Sequence, residues 1–152
     1  MKSKKAGLRV LLDTSFILPS LGIDVGEEVL EGLKRIDNAN AEIHYSCFSI
    51  LESLWVAVRL LTNAGFDAEN FKLGLRSIIN GDRYSEVKEN YETFYEAFKL
   101  YMLGHRDMID NMLYASSIHL NLKLLTLDRE LKEFVQQKKL RDTLIFPDQI
   151  TA

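Results

Sequence analysis

Short, mostly apolar runs alternate along the chain with longer stretches in which apolar residues recur about every 3.6 positions. The short runs are typical of buried strands, and they predict strands at residues 8–12, 42–46, 123–127 and 143–146. The longer stretches predict helices at residues 25–36, 49–61, 67–79, 85–102, 107–120 and 130–138.

Strands that alternate with helices indicate a parallel sheet covered on both faces, so the sequence predicts an α/β fold in three layers with four or five strands. Residues 49–120 show no strand pattern, and we expect them to form one helical flank of the sheet. The only prolines are Pro19 and Pro147, and no Pro- or Gly-rich linker interrupts the 152 residues. A single domain over residues 1–152 is therefore predicted, with residues 1–7 as a flexible basic N-terminus.

The composition, with 47% apolar and 27% charged residues, is ordinary for a soluble domain. The single cysteine, Cys47, excludes an internal disulfide framework. The basic start is followed by an apolar run that Arg9 and Asp13 interrupt, which is too short and too charged for a signal peptide. No stretch approaches the roughly 18 apolar residues of a membrane span. We therefore predict a cytoplasmic protein without membrane contact.

The net charge of −3 neither supports nor excludes a nucleic-acid partner. Carboxylates that hold metal ions add negative formal charge, and the bound cations would cancel that charge.

Four acids are expected at one edge of the sheet. Asp13 and Asp128 end apolar strands, while Glu52 and Asp110 lie in the first turns of helices that adjoin strands. Ligands of open parallel sheets bind beyond the carboxyl ends of the strands. Four carboxylates there would repel one another without a cation, and their oxygens suit Mg²⁺ or Mn²⁺. Hydroxyls nearby would support ligands or contact substrate, and these belong to Thr14, Ser15 and Thr126.

Each acid also has a purely structural interpretation, because Asp and Glu are common in helix caps. Considered singly, capping is the commoner role for such residues. Asp13 and Asp128 could each cap the helix that follows them. Ser49 and Glu52 could form a capping box, and Asp107 and Asp110 could form a similar one. The four acids together favour a metal site.

Four ordered motifs resemble those of PIN domains. Residues 10–15 (VLLDTS) resemble the opening of that family, in which an apolar strand runs into Asp and small hydroxyl residues. Residues 46–52 (SCFSILE) resemble its second motif, 110–115 (DNMLYA) its third, and 124–128 (LLTLD) its fourth. The chain departs from the family pattern at Asn121, where many members have Gly, and in the long helical segment 85–102. Asp107 is an additional acid beside the third motif, and we predict a supporting role for it at the acidic site.

The resemblance implies a PIN-like fold and a Mg²⁺- or Mn²⁺-dependent endoribonuclease that hydrolyses RNA phosphodiester bonds. It implies that Asp13 and Asp110 are the principal metal ligands, and that Asp128 and Glu52 complete the site. It also implies a homodimer and, if the chain is the toxin of a toxin–antitoxin pair, a small antitoxin partner. A housekeeping RNA-processing nuclease is the alternative role.

Other functional classes are less well supported by the sequence. A phosphatase of the haloacid dehalogenase type needs an Asp two positions after the first, where this chain has Ser15. A receiver domain needs an acidic pair before its phosphorylated Asp, and no Gly-rich phosphate loop is present. A non-catalytic PIN-like module that binds RNA or assembles with proteins remains open.

Among the remaining polar residues, Arg83 and Arg106 flank regions that would overhang the acidic edge, so we predict phosphate contacts for them. The histidines are scattered without metal-ligand spacing. His105, just before the third-motif helix, is a candidate for a phosphate contact. Aromatic residues at helical spacing favour packing in the core or in a dimer over base stacking; they are Trp55, Phe94, Tyr95, Phe98 and Tyr101.

Overall fold

The four apolar runs form strands as predicted, and a fifth strand lies in the middle of the chain. In the computed structural model, which describes residues 7–151, the strands are β1 (Arg9–Leu12), β2 (Glu42–Tyr45), β3 (Tyr84–Glu86), β4 (Lys123–Leu125) and β5 (Leu144–Ile145). The helices are α1 (Glu27–Asn38), α2 (Cys47–Leu60), α3 (Ala68–Asn80), α4 (Tyr91–Met102), α5 (Met108–His119) and α6 (Arg129–Gln137). The N-terminal segment for which the sequence predicts flexibility lies, apart from Gly7, outside the described residues.

All strand pairs described are parallel, and the strand order is β3-β2-β1-β4-β5. At least one helix lies between each strand and its neighbour in the sheet, as the crossovers of a parallel sheet require. The register places Leu12 of β1 opposite Leu125 of β4. The carboxyl ends of β1 and β4 therefore meet near the centre of the sheet, where ligands of such folds bind.

The sheet separates two hydrophobic cores, which confirms the predicted three-layer α/β fold. Successive residues of a strand point to opposite faces, so Val10 and Leu12 belong to one core and Leu11 to the other. The first core includes Ile36 of α1 and Ile78 of α3, with side chains of α2 packed against it. The second core holds buried residues of α4, α5 and α6, namely Leu100, Leu113, Tyr114, Leu131 and Val135.

The prediction of one continuous helix over residues 85–102 was wrong, as was the expectation that residues 49–120 contain no strand. Tyr84–Glu86 pairs in parallel with β2, and α4 begins only at Tyr91. Asn90 stops any earlier helix, because it caps α4 by accepting a hydrogen bond from the Thr93 N–H at 3.0 Å. A three-residue edge strand is too short to show a period of two, so its sequence merged with the helical pattern that follows.

Among residues 7–151, no helix combines the length and the apolar character that crossing a membrane would require.

Candidate metal centre

The two central strands end side by side and bring together the first and fourth acidic motifs. The backbone N–H of Asp13 donates to the carbonyl of Leu125 at 3.0 Å, so the pairing of β1 with β4 continues one residue past β1. Asp13 then faces the segment that leads from β4 to Asp128. The strand predicted at 123–127 ends at Leu125, because the Asp128 N–H donates to the Thr126 hydroxyl and the Asp128 side chain already caps α6.

Asp13 is held by two hydrogen bonds at the end of β1. Its carboxylate accepts from the Thr14 N–H at 2.7 Å and from the Thr126 hydroxyl at 2.6 Å. Burial raises the pKa of Asp13 from 3.8 to about 6, against the lowering effect of these two bonds, and the charges of Glu52 and Asp128 raise it further. A partly buried carboxylate with acidic neighbours and few compensating charges is a site where a cation would stabilise the ionised form.

Thr126 connects the first and fourth acids. Its side chain is fully buried, donates to Asp13, and accepts from the Asp128 N–H at 3.0 Å. Asp128 in turn caps α6 by accepting from the Leu131 N–H at 3.0 Å. The capping role that the sequence offered for Asp128 is therefore present, and it orients a carboxylate at the acidic edge.

Replacing Thr126 by Val is expected to lower the affinity for a divalent cation roughly 10–100-fold, as is typical when a group that orients metal ligands is lost. The free energy of unfolding should fall by about 1–3 kcal/mol, because Asp13 and the Asp128 N–H lose a buried partner. Calorimetric titration with Mn²⁺ and chemical denaturation measure the two effects. The Thr126→Ser variant retains the hydroxyl and should recover most of both, whereas equal losses in Ser and Val would contradict an orienting role.

Helix α5 brings Asp110 to the same edge. Asp107 caps this helix by accepting from the Asp110 N–H at 3.1 Å, as the sequence suggested. Burial raises the pKa of Asp110 to about 9, with further contributions from a hydrogen bond to Asp128 and from the charges of Asp13, Asp107 and Asp128. The Asp110 carboxyl therefore favours its protonated form, which can share a hydrogen bond with the Asp128 carboxylate.

Glu52 reaches the edge from α2 in a different way from the one predicted. Helix α2 starts at Cys47, and its cap is Ser46, whose hydroxyl accepts from the Phe48 N–H at 3.1 Å. The capping box of Ser49 with Glu52 is therefore absent, and Glu52 lies in the second turn rather than the first. Its charge raises the pKa of Asp13, which places Glu52 within electrostatic reach of the site.

These acids line one cavity of about 350 Å³. Its walls are formed by Asp13, Ser15, Glu52, Asp107, Asp110, Leu127 and Asp128. The structure thus brings together all four acids that the sequence singled out, although they come from four different segments. Ser15 and Asp107, predicted in supporting roles, also line this cavity. Thr126 lies behind it, bonded to Asp13.

His105 is a candidate ligand that the sequence analysis did not identify as one. One of its ring nitrogens lies within 4.8 Å of carboxylate oxygens of Asp110 and Asp128. Asn111 donates to the carbonyls of His105 and Ala97, so its side-chain oxygen accepts from His105 Nδ1 at 2.7 Å. This arrangement assigns the proton to Nδ1 and leaves a lone pair on Nε2, the usual state of a metal-binding imidazole.

His105, Asp110 and Asp128 together form a candidate metal-binding cluster. Opposite oxygen ligands of a Mg²⁺ ion are about 4.2 Å apart, so donors within 4.8 Å need only small movements to surround one cation. Carboxylates suit Mg²⁺ or Mn²⁺, and the imidazole nitrogen is a softer ligand. The sequence pointed to His105 only through its place in the loop before α5. The five-residue spacing from His105 to Asp110, across a loop and a helix, is no recognised pattern of metal ligands.

The predicted phosphate contacts are placed differently by the structure. Arg83 precedes β3, and β3 is parallel to β2, so this arginine lies at the amino edge of the sheet, opposite the acids. It pairs there with Asp37 at 2.5 Å, and its proposed overhang of the acidic edge was wrong. Arg106 directly precedes the α5 cap and lies over the Tyr101 ring, with its guanidinium carbon 5.9 Å from the ring centroid. Its position beside the acidic cavity is compatible with the prediction.

The aromatic residues singled out in the sequence are not core residues. Trp55 is 60% exposed, and the four aromatic residues of α4 are between 42% and 59% exposed. The core interpretation of their spacing was therefore wrong. Helical periodicity showed correctly that the four aromatic residues of α4 lie on one side of that helix. It could not show whether another element covers that side, or the side of α2 that carries Trp55.

Comparison with known proteins supports the motif analysis. A family model described as PIN domain matches residues 10–136. None of the curated proteins compared with the chain matches it significantly.

Solved structures with the same fold include several toxin–antitoxin proteins. One similar structure is VapBC2 from Rickettsia felis bound to a DNA fragment from the VapBC2 promoter. The chain matches a chain of that structure with a TM-score of 0.60 and 14% identity, and the match covers 84% of this chain and 93% of that one. It is similar to a toxin–antitoxin complex from Klebsiella pneumoniae (TM-score 0.58, 12% identity, coverage 91% and 97%). It is also similar to FitAcB from Neisseria gonorrhoeae, with a TM-score of 0.58, 16% identity, and coverage of 91% of this chain and 97% of that one. Identities this low establish a shared fold and nothing further.

Proposed function

Because the chain belongs to the PIN-domain family, matching it over residues 10–136, we propose that it is an endoribonuclease that uses Mg²⁺ or Mn²⁺ to hydrolyse RNA phosphodiester bonds. The observation that carries this proposal is the convergence of Asp13, Glu52, Asp110 and Asp128 on one cavity at the carboxyl edge of the sheet. Capping explains the orientation of Asp128, but it does not explain why acids from four segments are held together against their mutual repulsion.

The proposed chemistry joins a water oxygen to phosphorus and breaks the bond from phosphorus to a ribose oxygen, which takes up a proton. A bound divalent cation would activate the water and neutralise charge on the phosphate. Asp13, Asp110 and Asp128 would hold the cation, with His105 as a further donor and Glu52 completing the acidic wall. Thr126 fixes the Asp13 carboxylate through its 2.6 Å hydrogen bond, so the first ligand would be oriented before the cation arrives.

A chelator-controlled cleavage assay with a cap-preserving variant tests this proposal. Wild-type protein should cleave single-stranded RNA with Mg²⁺ or Mn²⁺ and lose this activity with excess chelator. Asp128→Asn should lower the rate at least roughly 100-fold, because Asn caps a helix about as well as Asp but removes the charge that the cation needs.

Asp67→Asn is the matched control, because Asp67 caps α3 in the same way but lies outside the acidic cavity. It should cleave like the wild type. If no RNA is cleaved and no metal binds by calorimetry, the non-catalytic PIN-like module becomes the better account, and capping remains the role of Asp13, Asp107 and Asp128.

We further propose that the chain acts as the toxin of a toxin–antitoxin pair, with a small protein partner. The supporting observation is the fold shared with the Rickettsia felis and Klebsiella pneumoniae complexes. A homodimer stays a prediction from the resemblance, supported by exposed apolar residues along α2 and α4. Light scattering on the purified chain tests the dimer, and a mass of one chain at all concentrations would rule it out.

A further inference from the structure

A second cavity adjoins the acidic one and has a different character. It has a volume of about 330 Å³ and shares Ser15 and Glu52 with the acidic cavity. Trp55, Val56 and Arg59 of α2 line the part that the acids do not reach, and Thr14 lies on the other side. The space is thus continuous with the acidic edge, and its size lies within the range of small-ligand pockets.

The residues of α2 in this cavity form one strip along the helix. Glu52, Trp55 with Val56, and Arg59 are spaced three to four positions apart, so they lie on successive turns of the same side. At about 1.5 Å per residue, the backbone positions of Glu52 and Arg59 are roughly 10 Å apart along the helix axis. The strip therefore offers an acid, an aromatic surface and a cation in that order, leading away from the acidic edge.

Arg59 differs from the arginines that stabilise the fold. Arg9, Arg35 and Arg83 pair with acidic side chains. Arg59 is exposed and has neither an ion pair nor a side-chain hydrogen bond with any residue in 7–151. A cation in this position can contact a phosphate and reduce the repulsion between a polyanion and the neighbouring acids.

Thr14 supplies a further polar group. It is only 4% exposed, and its hydroxyl has no hydrogen-bond partner among the described residues. Buried hydroxyl groups are usually hydrogen-bonded, so an unpartnered one on a cavity wall favours a ligand with polar edges over a purely apolar one.

We propose that this cavity is a nucleotide subsite, in which a base of single-stranded RNA stacks on Trp55 while Arg59 contacts an adjoining phosphate. The inference rests on the proposed function, because it makes α2 the platform that leads the RNA strand to the acids. Trp55 and Arg59 are substrate-positioning residues, and the polar edge of the base faces the side of the cavity that holds Thr14 and Ser15.

A protein segment is the competing occupant, because exposed Leu51, Leu54 and Val58 lie on the neighbouring face of α2. Trp55 lies at the boundary between that apolar face and the strip that carries Glu52 and Arg59. The observations favour RNA, since the cavity opens onto the acids and combines an aromatic surface with an unpaired cation, the combination that binds single-stranded nucleic acids.

Trp55 is the only tryptophan of the chain, so its fluorescence reports directly on the subsite. Short oligoadenylate added in the presence of a chelator is expected to quench this emission, because a stacked base quenches indole fluorescence. An abasic oligonucleotide of equal charge should bind more weakly and leave the emission unchanged. Binding of oligoadenylate without any change in emission would overturn the proposal.

Cleavage kinetics provide the second measurement. Trp55→Ala should raise KM for RNA roughly tenfold with little change in kcat, while Trp55→Phe retains most of the affinity, because stacking on an aromatic ring is the lost contribution. Arg59→Gln should weaken binding and lower its dependence on salt concentration. Tyr91→Ala, at a more exposed aromatic residue outside the cavity, should behave like the wild type.

The outcomes separate this inference from the proposed function. Quenching without cleavage under any metal condition would leave the subsite standing and refute the nuclease. Cleavage with an unchanged KM in Trp55→Ala would support the nuclease and refute the subsite. If Trp55→Ala turns a dimer into a monomer while RNA affinity stays the same, the strip is a protein contact and the proposal fails.

Discussion

The Asp110→Asn variant is expected to be more stable than the wild type in the absence of metal and, at the same time, inactive. The gain in free energy of unfolding at neutral pH should be about 1–3 kcal/mol, or roughly 2–4 °C in Tm for each kcal/mol. The reason is that Asp110 is partly buried beside Asp13, Asp107 and Asp128, so its ionised form is unfavourable in the folded protein. An amide removes that conflict, but it also removes a candidate ligand.

The pH dependence of this gain has a defined sign. The pKa of Asp110 is raised from 3.8 to about 9 in the folded protein, so between these values the folded state binds more protons than the unfolded state. The stability of the wild type therefore falls as pH rises through this window, and the Asn variant lacks this contribution. The stability difference should be near zero below about pH 4 and should grow towards pH 9.

Chemical denaturation of both proteins at several pH values, with chelator present, measures this difference. Asp24→Asn, at an exposed acid outside the acidic cavity, is the control and should show no such growth. Cleavage by Asp110→Asn should be at least about a thousandfold slower, which corresponds to roughly 4 kcal/mol of lost transition-state stabilisation. A variant that is less stable than the wild type at every pH would show that Asp110 is a structural residue.

Saturating Mn²⁺ or Mg²⁺ is expected to stabilise the wild type and to leave the Asp13→Asn variant unchanged. A cation at a hundred times its Kd adds about 2.7 kcal/mol, which corresponds to a rise in Tm of roughly 5–10 °C. Asp13 should be required because its carboxylate is already oriented by Thr14 and Thr126 and is destabilised by burial and by acidic neighbours. An amide at this position offers one neutral oxygen in place of a charge.

Thermal denaturation with increasing metal concentration measures this effect without any assumption about the RNA target. The stabilisation should weaken as pH falls below about 6, because Asp13 then takes up a proton that competes with the cation. The cap-preserving Asp67→Asn variant should respond to metal like the wild type. Equal stabilisation of wild type and Asp13→Asn would remove Asp13 from the ligand set while leaving the other acids as candidates.

Asn substitutions at the acids, together with metal titration, distinguish a metal centre from a group of helix caps. If the acids served only as caps, Asn would replace Asp at Asp128 without loss, and metal would not stabilise the protein. If they hold a cation, the metal-free protein carries a repulsion that metal binding relieves. Stability and activity then respond in opposite directions at Asp110, a combination expected where function keeps like charges together.

Much of the fold could be predicted from local patterns. The apolar runs before Asp13 and Asp128 form neighbouring parallel strands, and the predicted bounds of α1, α2, α3, α5 and α6 lie within two residues of the observed ones. Where the pattern failed, the reason is also local. Tyr84–Glu86 is too short to show a strand period, and the helix that Asn90 caps begins later than the apolar spacing predicted.

The sequence by itself determined four of the five strands, most of the helices and the fact that acids follow β1 and β4, because apolar periodicity and capping are interactions between residues close in the chain. Only the tertiary structure decided that Glu52 and Asp110 reach those acids, that His105 joins them, and that Arg83 lies at the opposite edge. It also decided that burial raises the pKa of Asp13 and that Trp55 stays exposed. Distance, burial and exposure depend on strand order and on which helix covers which face, and these follow from packing between residues far apart in the chain.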